Sequence, residues 1–194
     1  MTLLCVPYSA NCSNGCLKSG ASADSGQGQL WGFSFSEPLI AQVTDGIYLG
    51  NLCAAYNGQA LCKNNIDNII DMSNMPGGCR LNFIPCTCHR SLSLQEQCFW
   101  DINECIEASL EKRKRVLIHC RDGYSLAPTC VIQYLMVKHH MRLIAAYEFV
   151  RARYPVIIQE CHQDLLVCLE RSLWPGEVSS ECFKQAMSRK MAWT

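Results

Sequence analysis

Val116-Leu-Ile-His-Cys-Arg-Asp-Gly-Tyr-Ser-Leu-Ala-Pro-Thr129 is the stretch on which the reading of this chain turns. Its unbroken Val-Leu-Ile run predicts a strand buried on both faces. Gly123 marks a tight loop, and Pro128 is tolerated only in the first turn of the helix that must follow. In such a strand, loop and helix, successive loop N–H groups converge with the helix N-terminus to form a cradle for an anion. Cys120, at the strand's end, lies beneath that cradle, where the same dipoles favour its thiolate. A thiolate held there can attack phosphorus.

Outward from this stretch, short β-rich runs alternate with helical periodicity, the pattern of an α/β layer fold. Further strands are expected near Gly46 to Leu49, Ile66 to Asp71 and Leu81 to Pro85. Leu94, Cys98, Ile102, Cys105, Ile106 and Leu110 recur at three- and four-residue steps and predict a helix with one apolar stripe. The run Lys112 to Arg115 then reads as a solvated cationic cap, and His139 and His140 as a cap on the helix after Cys120. Leu143, Ala146, Tyr147, Val150 and Tyr154 predict a second core-facing stripe; Leu165, Leu166, Leu169 and Leu173 predict a third. The Ser-, Gly-, Asn- and Ala-rich segment at 9–28 holds one large apolar side chain, Leu17, too little to offset the entropy of ordering it. The expected organisation is a flexible arm at 1–37, one α/β domain at 38–173 with a central, largely parallel sheet flanked by helices, and a tail at 174–194.

Composition narrows the function classes. The 194 residues are 49% hydrophobic, enough for one sizeable core. Seventeen basic residues balance 17 acidic ones, so no overall field favours nucleic acid or an anionic membrane. No apolar run approaches the roughly 18 residues of a membrane span, and Met1 to Ala10 lacks a basic leader. The expectation is an intracellular protein, cytoplasmic with the nucleus left open. Its 15 cysteines then read as reduced thiols, since disulfide scaffolds are short and poor in core. The Asn11-Cys-Ser13 sequon carries no weight in that compartment.

The central stretch resembles the small dual-specificity protein phosphatases, whose signature is His-Cys, five residues, then Arg. His119, Cys120, Gly123, Tyr124, Ser125, Pro128 and Thr129 match that family's positions, and Tyr134-Leu-Met136 continues the helix as many members do. Gly46-Ile-Tyr-Leu-Gly-Asn51 is similar to the family's opening strand, and Ile84-Pro85 to the strand before its acid loop. The resemblance implies the cysteine-phosphatase fold, with Arg121, Asp122, Gly123, Tyr124 and Ser125 forming the phosphate loop. It makes Cys120 the nucleophile position, Ser125 the hydroxyl that assists phosphocysteine breakdown, and His119 the tuner of the thiol.

Three positions depart from the family. Leu126 stands where an arginine clamps two phosphate oxygens, and Cys88 where an aspartate protonates the leaving oxygen; the nearest downstream carboxylate is Glu96. Pro155-Val-Ile-Ile-Gln-Glu-Cys-His162 replaces a Pro-Asn-x-Gly-Phe loop that buttresses the phosphate loop, so the buttress is expected to be lost. A charge-stabilising donor is worth about 2.7 to 4 kcal/mol and a general acid about 10²- to 10⁴-fold, which together could cost about 10⁴- to 10⁷-fold. Asp122 adds a negative neighbour where Leu126 removes a positive one, so the Cys120 thiolate is expected to be disfavoured.

Three functions stay open. The first is a pseudophosphatase that binds proteins, phosphoproteins or kinases among them, or competes with active relatives. The second is a weakly active Tyr/Ser/Thr phosphatase using Cys120, with Arg121 or a partner supplying charge. The third is a thiol redox or metal-binding role, suggested by Cys86-Thr-Cys88-His89 and by the expected approach of Cys88 to Cys120. No second ligand pair stands at zinc spacing, so unlinked thiols without metal or cofactor are expected.

Overall fold

The structure is a computed structural model, and it describes residues 6–7, 37–73, 92–175 and 185. In chain order the elements are β1 (Val6–Pro7), β2 (Ile40–Gln42), β3 (Ile47–Asn51), α1 (Leu52–Ala55), α2 (Gly58–Lys63), β4 (Asn68–Asp71), α3 (Leu92–Glu111), β5 (Val116–Cys120), α4 (Leu126–Lys138), α5 (Leu143–Arg151) and α6 (Glu160–Leu173). The sheet order is β1-β4-β5-β3-β2. β5 is its middle strand, flanked in parallel by β3, with Ile47 opposite Val116, and by β4, with Asn68 opposite Val116. The two edge strands run antiparallel to their neighbours. Val6–Pro7, within the expected arm, is one of these edges.

Strand alternation divides β5 between two apolar clusters. Val116, Ile118 and Cys120 join Ile47 and Leu49 in the larger one, under α3 to α6, while Leu117 and Tyr48 join Ala55, Leu61 and Ile66 under α1 and α2. Helices therefore cover both faces. α4 packs against β5, α3, α5 and α6. Every residue from Ala127 to Met136 is buried, so this helix has no solvent face over that span. Its one buried amide, Gln133, exchanges two hydrogen bonds with Asn103 of α3 and leaves neither side chain unpaired.

Most stripes fall where periodicity predicts. Ile102 and Ile106 are buried, and Leu143, Ala146, Tyr147 and Val150 form the inner face of α5. Three details differ. Leu173 is exposed, because Val167, with His162 and Glu170, completes the inner face of α6 instead. Tyr154 is buried beyond the end of α5 rather than along it. Arg115 is no solvated cap: its guanidinium donates to the carbonyl of Asn64, and its N–H to Asp67, tying the turn before β4 to β5. His139 does cap α4, donating its N–H to Leu135 and setting its ring edge-on to Tyr134. The strand expected at Leu81 to Pro85 lies outside the described residues, as do the side chains of Leu94 and Cys98. Among the described residues, no helix is long and apolar enough to cross a membrane.

Candidate active site

The loop between Cys120 and α4 is fixed by backbone chemistry. Gly123 has φ +86, in the left-handed region that favours glycine, and a Cβ there would lie 2.5 Å from the Tyr154 hydroxyl and 3.1 Å from the Gly50 carbonyl. Asn51, at the end of β3, braces one side. Its Oδ1 accepts the N–H groups of Ala54 and Leu39, starting α1, and the next residue, Leu52, donates its N–H to the Arg121 carbonyl.

Pro155 to His162 braces the other side. Ile157 donates its N–H to the Tyr124 carbonyl at 2.9 Å, Gln159 donates its N–H to Ser125 Oγ at 2.9 Å, and His162 Nδ1 lies 2.7 Å from the same Oγ. The expectation of a lost buttress is thus wrong: a different sequence makes the contacts through backbone N–H groups and one imidazole. The hydroxyl donates to Nδ1 or accepts from it according to the imidazole tautomer. Burial pushes the pKa of this histidine down, and Asp122 partly opposes that. The hydroxyl of Thr129 donates to the Ser125 carbonyl, completing the fixation of Ser125.

Cys120 is 4% exposed, and its thiol donates to Asp122 Oδ1 at 3.5 Å. Burial pushes its pKa up most and the Asp122 carboxylate adds to the rise, while the N–H groups of Ala127 and Gly123 oppose it. The thiol form is therefore favoured at neutral pH. His119 is buried with Nε2 3.5 Å from Asp71 Oδ1, and burial pushes its pKa down against the pull of Asp71 and the Cys120 backbone.

Leu126 opens α4 half-buried against the main core and offers no donor to the loop. Gly123 and Ser125 are buried, whereas Arg121, Asp122 and Tyr124 are exposed. The structure thus brings together Cys120, Asp122, Gly123, Tyr124, Ser125 and Leu126, with His119 one step back on β5. Cys88 and the side chain of Glu96 lie outside the described residues, so the expected approach of Cys88 to Cys120 does too. Cys120, Cys161 and Cys168 are free thiols, and no group of three metal-ligating side chains occurs among the described residues.

Sequence reasoning missed Tyr154 as part of this site, where it stands only as one more stripe position, and placed His162 only as the last residue of the substituted buttress segment. Its bond to Ser125 carries no sequence signal, since 37 residues separate the two and the packing of α6 on α4 joins them.

Residues 47–171 match the sequence model of the dual specificity phosphatase catalytic domain. The chain is 27% identical over 141 residues to dual specificity protein phosphatase MPK-4 of Drosophila melanogaster, covering 69% of this chain and 36% of that protein. It is 32% identical over 128 residues to dual specificity protein phosphatase 14 of Mus musculus, covering 61% and 62%. The chain thus spans less than two thirds of each relative. Among solved structures it is similar to a leucine rich repeat and phosphatase domain containing protein from Entamoeba histolytica, with a TM-score of 0.59, 25% identity, and coverage of 69% of this chain and 92% of that one.

Proposed function

The chain belongs to the dual-specificity phosphatase family, and from that membership we propose that it is a pseudophosphatase, a folded domain that acts through protein binding or competition with active relatives rather than by hydrolysis. One observation carries the reading. Leu126, at the position of the family's clamp, is an aliphatic side chain packed half-buried against the core, so the loop's sixth position supplies no bidentate donor for a phosphoryl group. The buried thiol beside Asp122 supports it, because a phosphocysteine mechanism needs the thiolate. Partners of this domain are phosphoproteins or kinases, and its compartment is the cytoplasm or nucleus. The balanced charge supports protein rather than nucleic acid as the partner.

A second reading rests on the retained loop. With Ser125 fixed in the same loop as Cys120 and the N–H groups of Gly123 and Ala127 favouring its thiolate, a weak phosphatase could use Cys120 as nucleophile with Arg121 supplying charge. Turnover of an aryl phosphate by wild type and by Cys120→Ser separates the two. The pseudophosphatase predicts equal rates at contaminant level; Cys120-dependent turnover above that level replaces it with the second reading.

A further inference from the structure

The N–H groups of Gly123 and Ala127 favour the thiolate of Cys120. The Tyr154 hydroxyl, on a side chain only 2% exposed, lies against Gly123 and finds no hydrogen-bond partner among the described residues. Buried donors are normally paired, so an orphan here marks a pocket shaped around negative charge. One acceptor inside the loop supplies that charge. Asp122 Oδ1 takes the Cys120 thiol at 3.5 Å and the Tyr124 N–H at 3.1 Å, both on the same oxygen.

Deepening the reading above and resting on it, we propose that Asp122 is an internal anionic stopper: its carboxylate takes the position of an oxyanion oxygen in the loop, keeps Cys120 a thiol and excludes external phosphate. Two features suit the residue to this task. A side chain with one methylene turns back onto the N–H two positions ahead, the local geometry aspartate favours in turns. Asp122 also stands at the exposed mouth, so the charge avoids the full cost of burial. An arriving phosphate must displace this carboxylate and meet its repulsion, with no arginine at Leu126 to compensate.

The test replaces Asp122 by Asn, which keeps the size and one acceptor for the Tyr124 N–H while removing the charge. Two quantities are read on the full chain. One is the pH midpoint of Cys120 alkylation by iodoacetamide, in which the sulfur–carbon bond forms as iodide leaves and the thiol proton goes to solvent. With 15 cysteines present, it is followed on the Cys120 peptide by mass spectrometry. The other is tungstate affinity by calorimetry. In Asp122→Asn the midpoint should fall by about one pH unit and tungstate should bind about tenfold more tightly. Asp122→Glu, which keeps the charge one methylene further out, should lie between that variant and wild type. Either quantity unchanged in a folded Asp122→Asn overturns the proposal, and Asp122→Ser with the same two readouts decides if the Asn variant does not fold. Neither readout is turnover. Cys120-dependent hydrolysis by wild type would remove the pseudophosphatase reading and leave these two measurements to judge the stopper.

Discussion

His162→Ala should be costly although it leaves the loop sequence itself untouched. The imidazole is 8% exposed and holds the Ser125 hydroxyl at 2.7 Å. The variant removes one of the two partners of this buried hydroxyl, at about 1–3 kcal/mol. The space vacated by the ring adds about 1 kcal/mol, for a total of about 2–4. At about 2–4 °C per kcal/mol for a domain of this size, Tm should fall by about 5–15 °C. Acid separates this account from generic damage. Burial holds the folded-state pKa of His162 below the ordinary 6.5, so as pH falls the unfolded chain takes up the proton first. The stabilisation is complete above about pH 6.5 and is lost as pH falls from there toward the folded-state value, with a limiting slope of about 1.4 kcal/mol per pH unit per histidine. His119 is shifted in the same direction, so among the described residues wild type carries two such groups and His162→Ala one. Urea unfolding near pH 7.5 and near pH 5.5 measures both effects. A variant within about 0.5 kcal/mol of wild type at the higher pH would refute the Ser125 bond as a stabilising contact; equal acid sensitivity of the two proteins would refute the neutral His162.

Glu170 is 2% exposed and caps α5 from α6, accepting from the Leu143 N–H at 3.1 Å and from Arg142 Nε at 3.0 Å, so Glu170→Ala should cost about 2–3 kcal/mol by urea unfolding and Glu170→Gln, which retains an acceptor, distinctly less. Tyr154→Phe removes an unpaired buried hydroxyl and should be neutral or stabilising by up to about 1 kcal/mol; in combination with it, Gly123→Ala should lose the part of its cost due to the hydroxyl clash and keep the part due to positive φ. Leu126→Arg should tighten phosphate binding, and Leu126→Arg with Cys88→Asp should gain turnover more than additively, because a clamp without an acid leaves a poor leaving group. No gain in binding or turnover in a folded double variant would show that these two positions do not limit hydrolysis.

What was legible in the sequence is what local rules control. Val116-Leu-Ile specified the central strand because a strand covered on both faces needs apolar residues at every position, and Pro128 located the start of α4 because it fits only a first turn. The α5 stripe followed from its period. β2 was not legible, since Ile40–Gln42 is three residues long and its pairing with β3 comes from the hairpin rather than from any alternation of its own. Arg115 looked like one of four surface cations until Asn64 and Asp67 folded over it, a contact spanning 51 positions. The brace was the largest miss. A family loop can be recognised by its residues, but backbone N–H groups such as those of Ile157 and Gln159 carry no sequence identity, so the same contacts can be made by a segment that matches nothing.

That miss bears on why a loop without its arginine should keep its form. In this chain each turn of the loop is held by a bond that needs neither Leu126 nor a bound anion. Leu52 holds the Arg121 carbonyl and Asp122 holds the Tyr124 N–H; Gly123 supplies the positive φ, and Gln159 with His162 fixes Ser125. Shape and hydrolytic chemistry therefore rest on different residues. Changes at Leu126 should alter what the loop can bind without unfolding it, whereas changes at Gly123 or His162 should loosen the loop whatever it binds. A chain with this division can lose turnover and still present a rigid loop mouth, with Tyr124 and Ile157 exposed beside it, and a protein partner that reads that surface would be indifferent to the missing clamp.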